Sequence, residues 1–221
     1  PDEEVRGCGG TIAWHTRQGH DVHVLVLGEG AASRYPLRQG VKRKKEVSAL
    51  DRAANQAAPI LGVKAVHREH FPDNRFDSVD LLDIVKAVER VVSEVRPGRV
   101  YTHHAGDLNI DHRIVHQAVL TATRPQPGSP VTTVLAFEVP SSTEWQGAGS
   151  HVPFWPQVYV DVTETLPQKL AALRCYQSEL RPYPHPRSLE SVEIIAKRWG
   201  VNVGLKAAEA FMLVREVVRA R

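Results

Sequence analysis

Along the chain, continuous apolar runs alternate with stretches whose apolar residues recur at helical spacing, the pattern of a mostly parallel sheet covered by helices. His23-Val24-Leu25-Val26-Leu27, ending at Gly28-Glu29-Gly30, reads as a strand buried on both faces. From Val41 to Leu61, the residues Val47, Leu50, Ala54, Ala57 and Ala58 share one helix side, and Gly62 is placed to cap the end. Val63 to Phe71 is a second strand. Asp80 to Val95 is a helix built on Leu82, Ile84, Val85, Val88, Val91 and Val92, and Pro97-Gly98 stops it. Arg99 to Thr102 is a short strand, and the polar segment His103 to Asp111 leads from it into a helix beginning near His112. Val131 to Val139 and Gln157 to Val162 read as strands, Pro167 to Leu180 as a helix with Pro at its start, and Phe211 to Val218 as a last strand. The expected class is α/β.

Composition bounds the picture without sharpening it. A chain of 221 residues with 42% hydrophobic content can bury one core, so residues 1–221 are expected to form a single domain. Lys and Arg number 28 against 25 Asp and Glu, a net charge of +3 that implies no nucleic-acid partner. No apolar run approaches the roughly 20 residues that span a bilayer, and no signal-like segment opens the chain, so a cytoplasmic enzyme without membrane insertion is expected. Cys8 and Cys175 are then expected as reduced thiols.

Two clusters carry candidate chemistry. In the first, Pro1-Asp2-Glu3-Glu4-Val5-Arg6-Gly7-Cys8-Gly9-Gly10-Thr11, three consecutive acids precede the glycine-rich start of a helix. Taken alone, these charges serve a helix N-terminus as readily as a site. In the second, His103-His104-Ala105-Gly106-Asp107-Leu108-Asn109-Ile110-Asp111-His112-Arg113, carboxylates, an amide and imidazoles crowd a strand-to-helix turn, where open α/β sheets place ligands. N-capping by Asp111 or Asn109 accounts for part of this density and needs none of the histidines. Asp107, Asn109 and Asp111 have the spacing of a calcium loop, but His112 stands where glycine is required and Ala118 where glutamate is, which excludes calcium.

Other classes fit less of the chain. Gly28-Glu29-Gly30-Ala31-Ala32-Ser33 lacks the third glycine of a dinucleotide fingerprint, and no G-x-S-x-G occurs. A thiol amidase using Cys8, a carbohydrate-binding or nucleotide-binding protein without hydrolase activity, and an amidase acting on a non-sugar amide remain as alternatives.

Together the clusters resemble the LmbE-like, or PIG-L-like, deacetylase family, whose members carry a His-Pro-Asp-Asp-Glu motif after the first strand and an Asp-His pair downstream. Pro1-Asp2-Glu3-Glu4 followed by Gly7-Cys8-Gly9-Gly10-Thr11 is similar to the first motif, with Glu3 in place of its second Asp, and Asp111-His112 is similar to the second. Tyr183-Pro184-His185-Pro186-Arg187-Ser188 and Gly204 to Phe211, including Ala208-Glu209, also look like this family.

The resemblance implies a Rossmann-like three-layer sandwich and the removal of acetyl from a small N-acetylated amino sugar or glycoconjugate. It implies Zn²⁺ held by two imidazoles and a carboxylate, with Glu3 and His112 as two of the ligands. The third, the histidine that precedes Pro1 in the family motif, is expected upstream of residue 1 together with a hydrophobic first strand. Asp2 would be the general base toward the water that zinc acidifies. Asp111 would orient His112 or cap the helix. His104 or His103 would protonate the leaving nitrogen. Asn109 stands where many members have another histidine, and it joins His103, His185 and Arg187 as candidates for substrate binding. Arg6, where an apolar residue is common, is read as facing solvent in preference to substrate. Lys42-Arg43-Lys44-Lys45 reads as a solvated helix face, and Trp145, Trp155 and Trp199 serve either sugar stacking or core packing. A homo-oligomer is compatible with the sequence.

Overall fold

A computed structural model of the chain describes residues 2–30, 40–147 and 152–219, with the backbone alone described at 40–46. The Gly28 to Ser33 alternative therefore falls partly outside the described residues, and the side chains of Lys42 to Lys45 wholly so. Two compact units are formed, Pro1–Asp73 with Tyr159–Glu209 and Asn74–Val158 with Ala210–Arg221.

In the first unit, α1 (Glu3–Arg17) starts behind Asp2, whose carbonyl accepts from the N–H groups of Val5 and Arg6 at 3.1 and 2.9 Å. Glu3 and Glu4 occupy the first turn, where the helix dipole favours carboxylates. Val5, Cys8, Ile12 and Ala13 are its buried apolar residues. Gly9 and Gly10 allow a close approach: a Cβ on Gly10 would lie 2.7 Å from Cγ1 of Val162, and one on Gly9 would lie 3.0 Å from Cγ of Lys169. Midway along α1, the N–H groups of Gly10 and Thr11 donate to the carboxylate of Glu209 at 2.9 and 2.7 Å. Nζ of Lys169 reaches the same carboxylate at 2.5 Å, and Oγ1 of Thr165 donates to the carbonyl of Gly10. Lys169 and Glu209 are both buried.

Also in this unit, β1 (His23–Gly28) pairs in parallel with β2 (Ala65–Phe71), starting at His23 opposite Ala65. Only Leu27 of β1 is buried, against the expectation of two covered faces. Among the described residues β1 has β2 as its one paired neighbour. Between the strands, α2 (Gly40–Leu61) buries Leu50, Ala53, Ala54, Ala57 and Leu61. It ends at Gly62, whose φ of 75° suits glycine and whose Cβ would collide with Oγ1 of Thr16 at 2.8 Å.

The helix α5 (Leu166–Leu173) packs on α1 and α2 and stops well before Leu180. Three-residue turns replace it, with Tyr176 N–H donating to Leu173 and Glu179 N–H to Tyr176, and they carry the Tyr176 ring into the core. The helix α6 (Leu189–Asn202), which the hydrophobic pattern left unread, is capped by Ser188, whose Oγ accepts from Ser191 N–H at 2.9 Å.

The second unit begins with α3 (Leu81–Val95), which buries Ile84, Val85, Ala87, Val88 and Val91, while Leu82 falls off that stripe and is exposed. Then come β3 (Arg99–His103), α4 (Ile110–Ala122) and β4 (Thr133–Phe137). β3 and β4 belong to a four-stranded sheet ordered β3-β4-β6-β5, in which β6 (Ala208–Glu216) lies mostly in this unit and β5 (Val158–Asp161) mostly in the first. β3 and β4 pair in parallel, as the pattern predicts, while β6 runs antiparallel to β4 and begins before the expected Phe211. In the parallel register, His103 lies opposite Phe137, so the polar loops after both strands leave from the same sheet edge. No helix among the described residues is long and apolar enough to cross a membrane.

Candidate active site

The loop between β3 and α4 is organised around Asp107, which is fully buried. Its carboxylate accepts from the N–H of Asn109 at 2.8 Å, from Oγ1 of Thr143 at 2.6 Å and from Oγ of Ser142. Nδ1 of the buried His112 lies 3.1 Å from Oδ1 of Asp107. Burial works against ionisation of Asp107, but His112 and the two hydroxyl donors outweigh it and hold the pKa down at about 2. The carboxylate lies beside Nδ1 without meeting it in hydrogen-bond geometry, and this proximity leaves Nε2 as the nitrogen for another partner.

Asp111 and Asn109, four and two residues beyond Asp107, take other work. Oδ2 and Oδ1 of Asp111 accept from the N–H groups of Asn74 and Phe76 at 2.5 and 3.0 Å, which ties the loop before α3 to the start of α4. The carboxylate beside the ring of His112 is thus that of Asp107, and Asp111 anchors backbone. Asn109 is the N-cap of α4, its Oδ1 accepting from Asp111 N–H at 2.9 Å. The three calcium-like positions point to three different partner sets.

The histidines divide similarly. The ring of His103 stacks on His112 at 4.2 Å and 19° and tilts against Phe137. The buried His104 donates from Nε2 to the carbonyl of Val152 at 2.8 Å and meets the ring of Phe154 edge-on. Its pKa is lowered by burial. His116, one turn after His112, donates from Nδ1 to the carbonyl of His103 at 2.8 Å.

In the first unit, Asp2 takes a left-handed conformation, φ 89°, uncommon outside glycine and best tolerated by Asn and Asp. Its carboxylate is buried and bonded to Arg6. Burial raises its pKa, Arg6 opposes the rise, and the result is about 7. Arg6 is 4% exposed, so it does not face solvent as expected. Asp2 and Glu3, the latter 3.7 Å away, offset its desolvation and keep it charged. Tyr176 donates to Glu4 at 2.7 Å. Nη1 of Arg187 lies 3.5 Å from Glu179, and its guanidinium, half buried, feels Arg6, Asp2 and Glu3 as well. His185 is used locally, Nδ1 accepting from Arg187 N–H at 3.0 Å. Cys8 is buried and burial pushes its thiol well above the ordinary range, so it has neither the access nor the acidity of a nucleophile.

Arg6, Asp107, Ser142, Thr143 and His116 escape a reading by motif alone. Ser141-Ser142-Thr143 does carry a signal, a hydroxyl-rich run closely following a buried strand. Among the described residues no three His, Cys, Asp or Glu side chains gather closely enough to hold a metal ion. Taken singly, two side chains have donor chemistry that suits a metal: in the second unit the imidazole of His112, with a carboxylate 3.1 Å from Nδ1, and in the first unit the carboxylate of Glu3, with 26% of its side-chain surface open.

A two-unit α/β protein with a His-Asp pair at the sheet edge defines a class, and comparison supplies the family. The family model for GlcNAc-PI de-N-acetylase (PIG-L) matches residues 1–123. The chain is 30% identical over 184 residues to the uncharacterized deacetylase YaiS of Escherichia coli (strain K12), which covers 80% of this chain and 86% of that protein. It is also 30% identical over 218 residues to 4-oxalmesaconate hydratase of Pseudomonas putida, covering 91% and 78%. The structure of N,N'-diacetylchitobiose deacetylase from Pyrococcus horikoshii superposes with a TM-score of 0.76 at 18% identity, over 97% of this chain and 80% of that one. The chain belongs to the PIG-L family and has the LmbE-like fold.

Proposed function

We propose that the chain is a zinc-dependent N-deacetylase that removes acetyl from a small N-acetylated amino sugar or glycoconjugate. The observation that carries this reading is the buried Asp107 carboxylate 3.1 Å from Nδ1 of His112, a juxtaposition of the kind that backs metal-binding imidazoles. His112, through Nε2, would be a ligand of the metal, which when bound supplies Lewis-acid chemistry that acidifies water and polarises an amide carbonyl.

The chain's own groups do the rest. Asp2, buried and fixed by Arg6, takes the proton from the attacking water. The nitrogen must be protonated before the amine leaves. Of the two adjacent imidazoles, His104 has its Nε2 hydrogen committed to Val152, whereas His103 lies flat against His112. His103 is therefore the better placed acid, with His104 holding the loop. Arg187, in the same charged group as Asp2 and Arg6, is the candidate to bind the substrate's polar groups.

Release of acetate from N-acetylglucosamine derivatives, abolished by chelator and restored by zinc, is the expected result. Water addition to an unsaturated carboxylate with no acetate release would move the chain to the chemistry of its hydratase relative. Asp107→Asn is expected to weaken zinc binding by about 10–100-fold in a chelator competition. The double variant Ser142→Ala, Thr143→Val keeps the carboxylate at Nδ1 and is expected to retain most of that affinity; equal losses in both would show that Asp107 only holds the loop.

A further inference from the structure

We propose that His15 and His20 form a two-imidazole site for a divalent cation of tetragonal preference, Cu²⁺ ahead of Ni²⁺, at the C-terminal end of α1. The site uses none of the residues assigned to deacetylation and stands whether or not that reading does.

The backbone brings the two rings together. α1 ends at its C-cap Gln18, and Gly19 follows in the left-handed conformation with φ 77°. The N–H of Gly19 donates to the carbonyl of Thr16 at 3.0 Å, and the N–H of His20 to that of His15 at 3.1 Å. These are the two bonds of a Schellman turn, which sets the residue after the glycine against the residue three positions before the cap, a contact usually made by apolar side chains. Here both residues are histidines. Nδ1 of His15 lies 2.9 Å from Nδ1 of His20, and the ring centroids are 5.2 Å apart. Trp14 meets both rings edge-on, at 4.9 and 6.4 Å. His20 is exposed and His15 half-buried, so an ion reaches the pair from solvent.

The separation selects the metal. At imidazole–metal bonds of about 2.0–2.1 Å, two nitrogens at the right angle of a tetragonal complex stand about 2.9 Å apart, whereas a tetrahedral angle spreads them to about 3.3 Å. As a hydrogen-bonded pair, one Nδ1 carries a hydrogen that the other accepts. Moving that hydrogen to Nε2 and swinging the rings off the N–H···N line turns both lone pairs toward one ion. Among the described residues no third His, Cys, Asp or Glu completes a cluster with them, so water fills the other positions. The ion sits at the negative end of the α1 dipole, which favours a cation. For imidazole ligands copper binds ahead of nickel.

The test titrates Cu²⁺ into the zinc-loaded full-length wild type, His20→Ala and Trp14→Phe, and into full-length His112→Ala. Tryptophan fluorescence and the electron paramagnetic resonance spectrum of the bound ion are read in parallel, with circular dichroism to show that each variant is folded. The wild type is expected to bind about one Cu²⁺ beyond its zinc, with two imidazole nitrogens in the spectrum and quenching of the neighbouring Trp14. His112→Ala is expected to keep this ion. His20→Ala is expected to weaken binding by about tenfold or more and to lose the second nitrogen, and Ni²⁺ to bind the wild type more weakly than Cu²⁺. Trp14→Phe should keep the spectrum and lose the quenching. Affinity and spectrum unchanged in folded His20→Ala would overturn the site. A copper ion lost in His112→Ala would overturn it as well, and would place that ion at the candidate active site.

Discussion

Asp2→Asn is expected to lower the deacetylation rate by about 10²–10⁴-fold, the range that a positioned general base contributes. Asparagine keeps the size and the tolerance for the left-handed backbone at φ 89°, so the start of α1 is preserved. It cannot accept a proton. Arg6 loses one anionic neighbour but retains Glu3 at 3.7 Å and the influence of Glu179, so the cation does not become isolated. Steady-state kinetics should show the loss in kcat, with KM little changed. A loss confined to KM would place Asp2 in binding and leave the reaction without its base.

The second large effect concerns stability. Lys169→Met is expected to cost about 3–5 kcal/mol, read as a fall in the urea midpoint at constant slope, because it strips the cation from a buried carboxylate. Glu209 is 3% exposed and would keep only the two amide donors of Gly10 and Thr11. Adding Glu209→Gln to Lys169→Met removes the stranded charge and should recover part of the loss. A cost below about 1 kcal/mol for the single variant would mean that water reaches the pair, as it does at surface ion pairs.

This pair also shows what a sequence conceals. Lys169 and Glu209 are forty positions apart, and neither sits in a pattern that announces burial; only the approach of α5 and β6 to the glycines of α1 makes them partners. Helices with a clear apolar stripe were legible, α3 nearly to the residue, because packing and periodicity agree there. α6 was not read, although Ser188 caps it and Val192, Ala196 and Trp199 recur at helical spacing on its buried side. α5 ends at Leu173, short of the expected Leu180, and Tyr176 is buried through a turn instead of a helix.

At the candidate site, the density of histidines and carboxylates between His103 and His112 is legible in the sequence, but residue type does not divide the labour among them. Asp107 and Asp111 are equivalent as letters; the turn at Ser142 and Thr143 and the backbone at Asn74 and Phe76 decide which one faces His112. Arg6 illustrates the same limit. A lone arginine is ordinarily solvated, and its burial follows from two acids placed three and four residues earlier on the same helix face.

Metal content of the full-length protein, measured alongside acetate release for the wild type, His112→Ala and Asp2→Asn, tests the central claim most directly. The account predicts about one zinc per chain in the wild type, lost together with activity in His112→Ala and kept in the inactive Asp2→Asn. A metal-free protein that releases acetate and ignores chelator, or a His112→Ala variant that keeps its zinc, would contradict it.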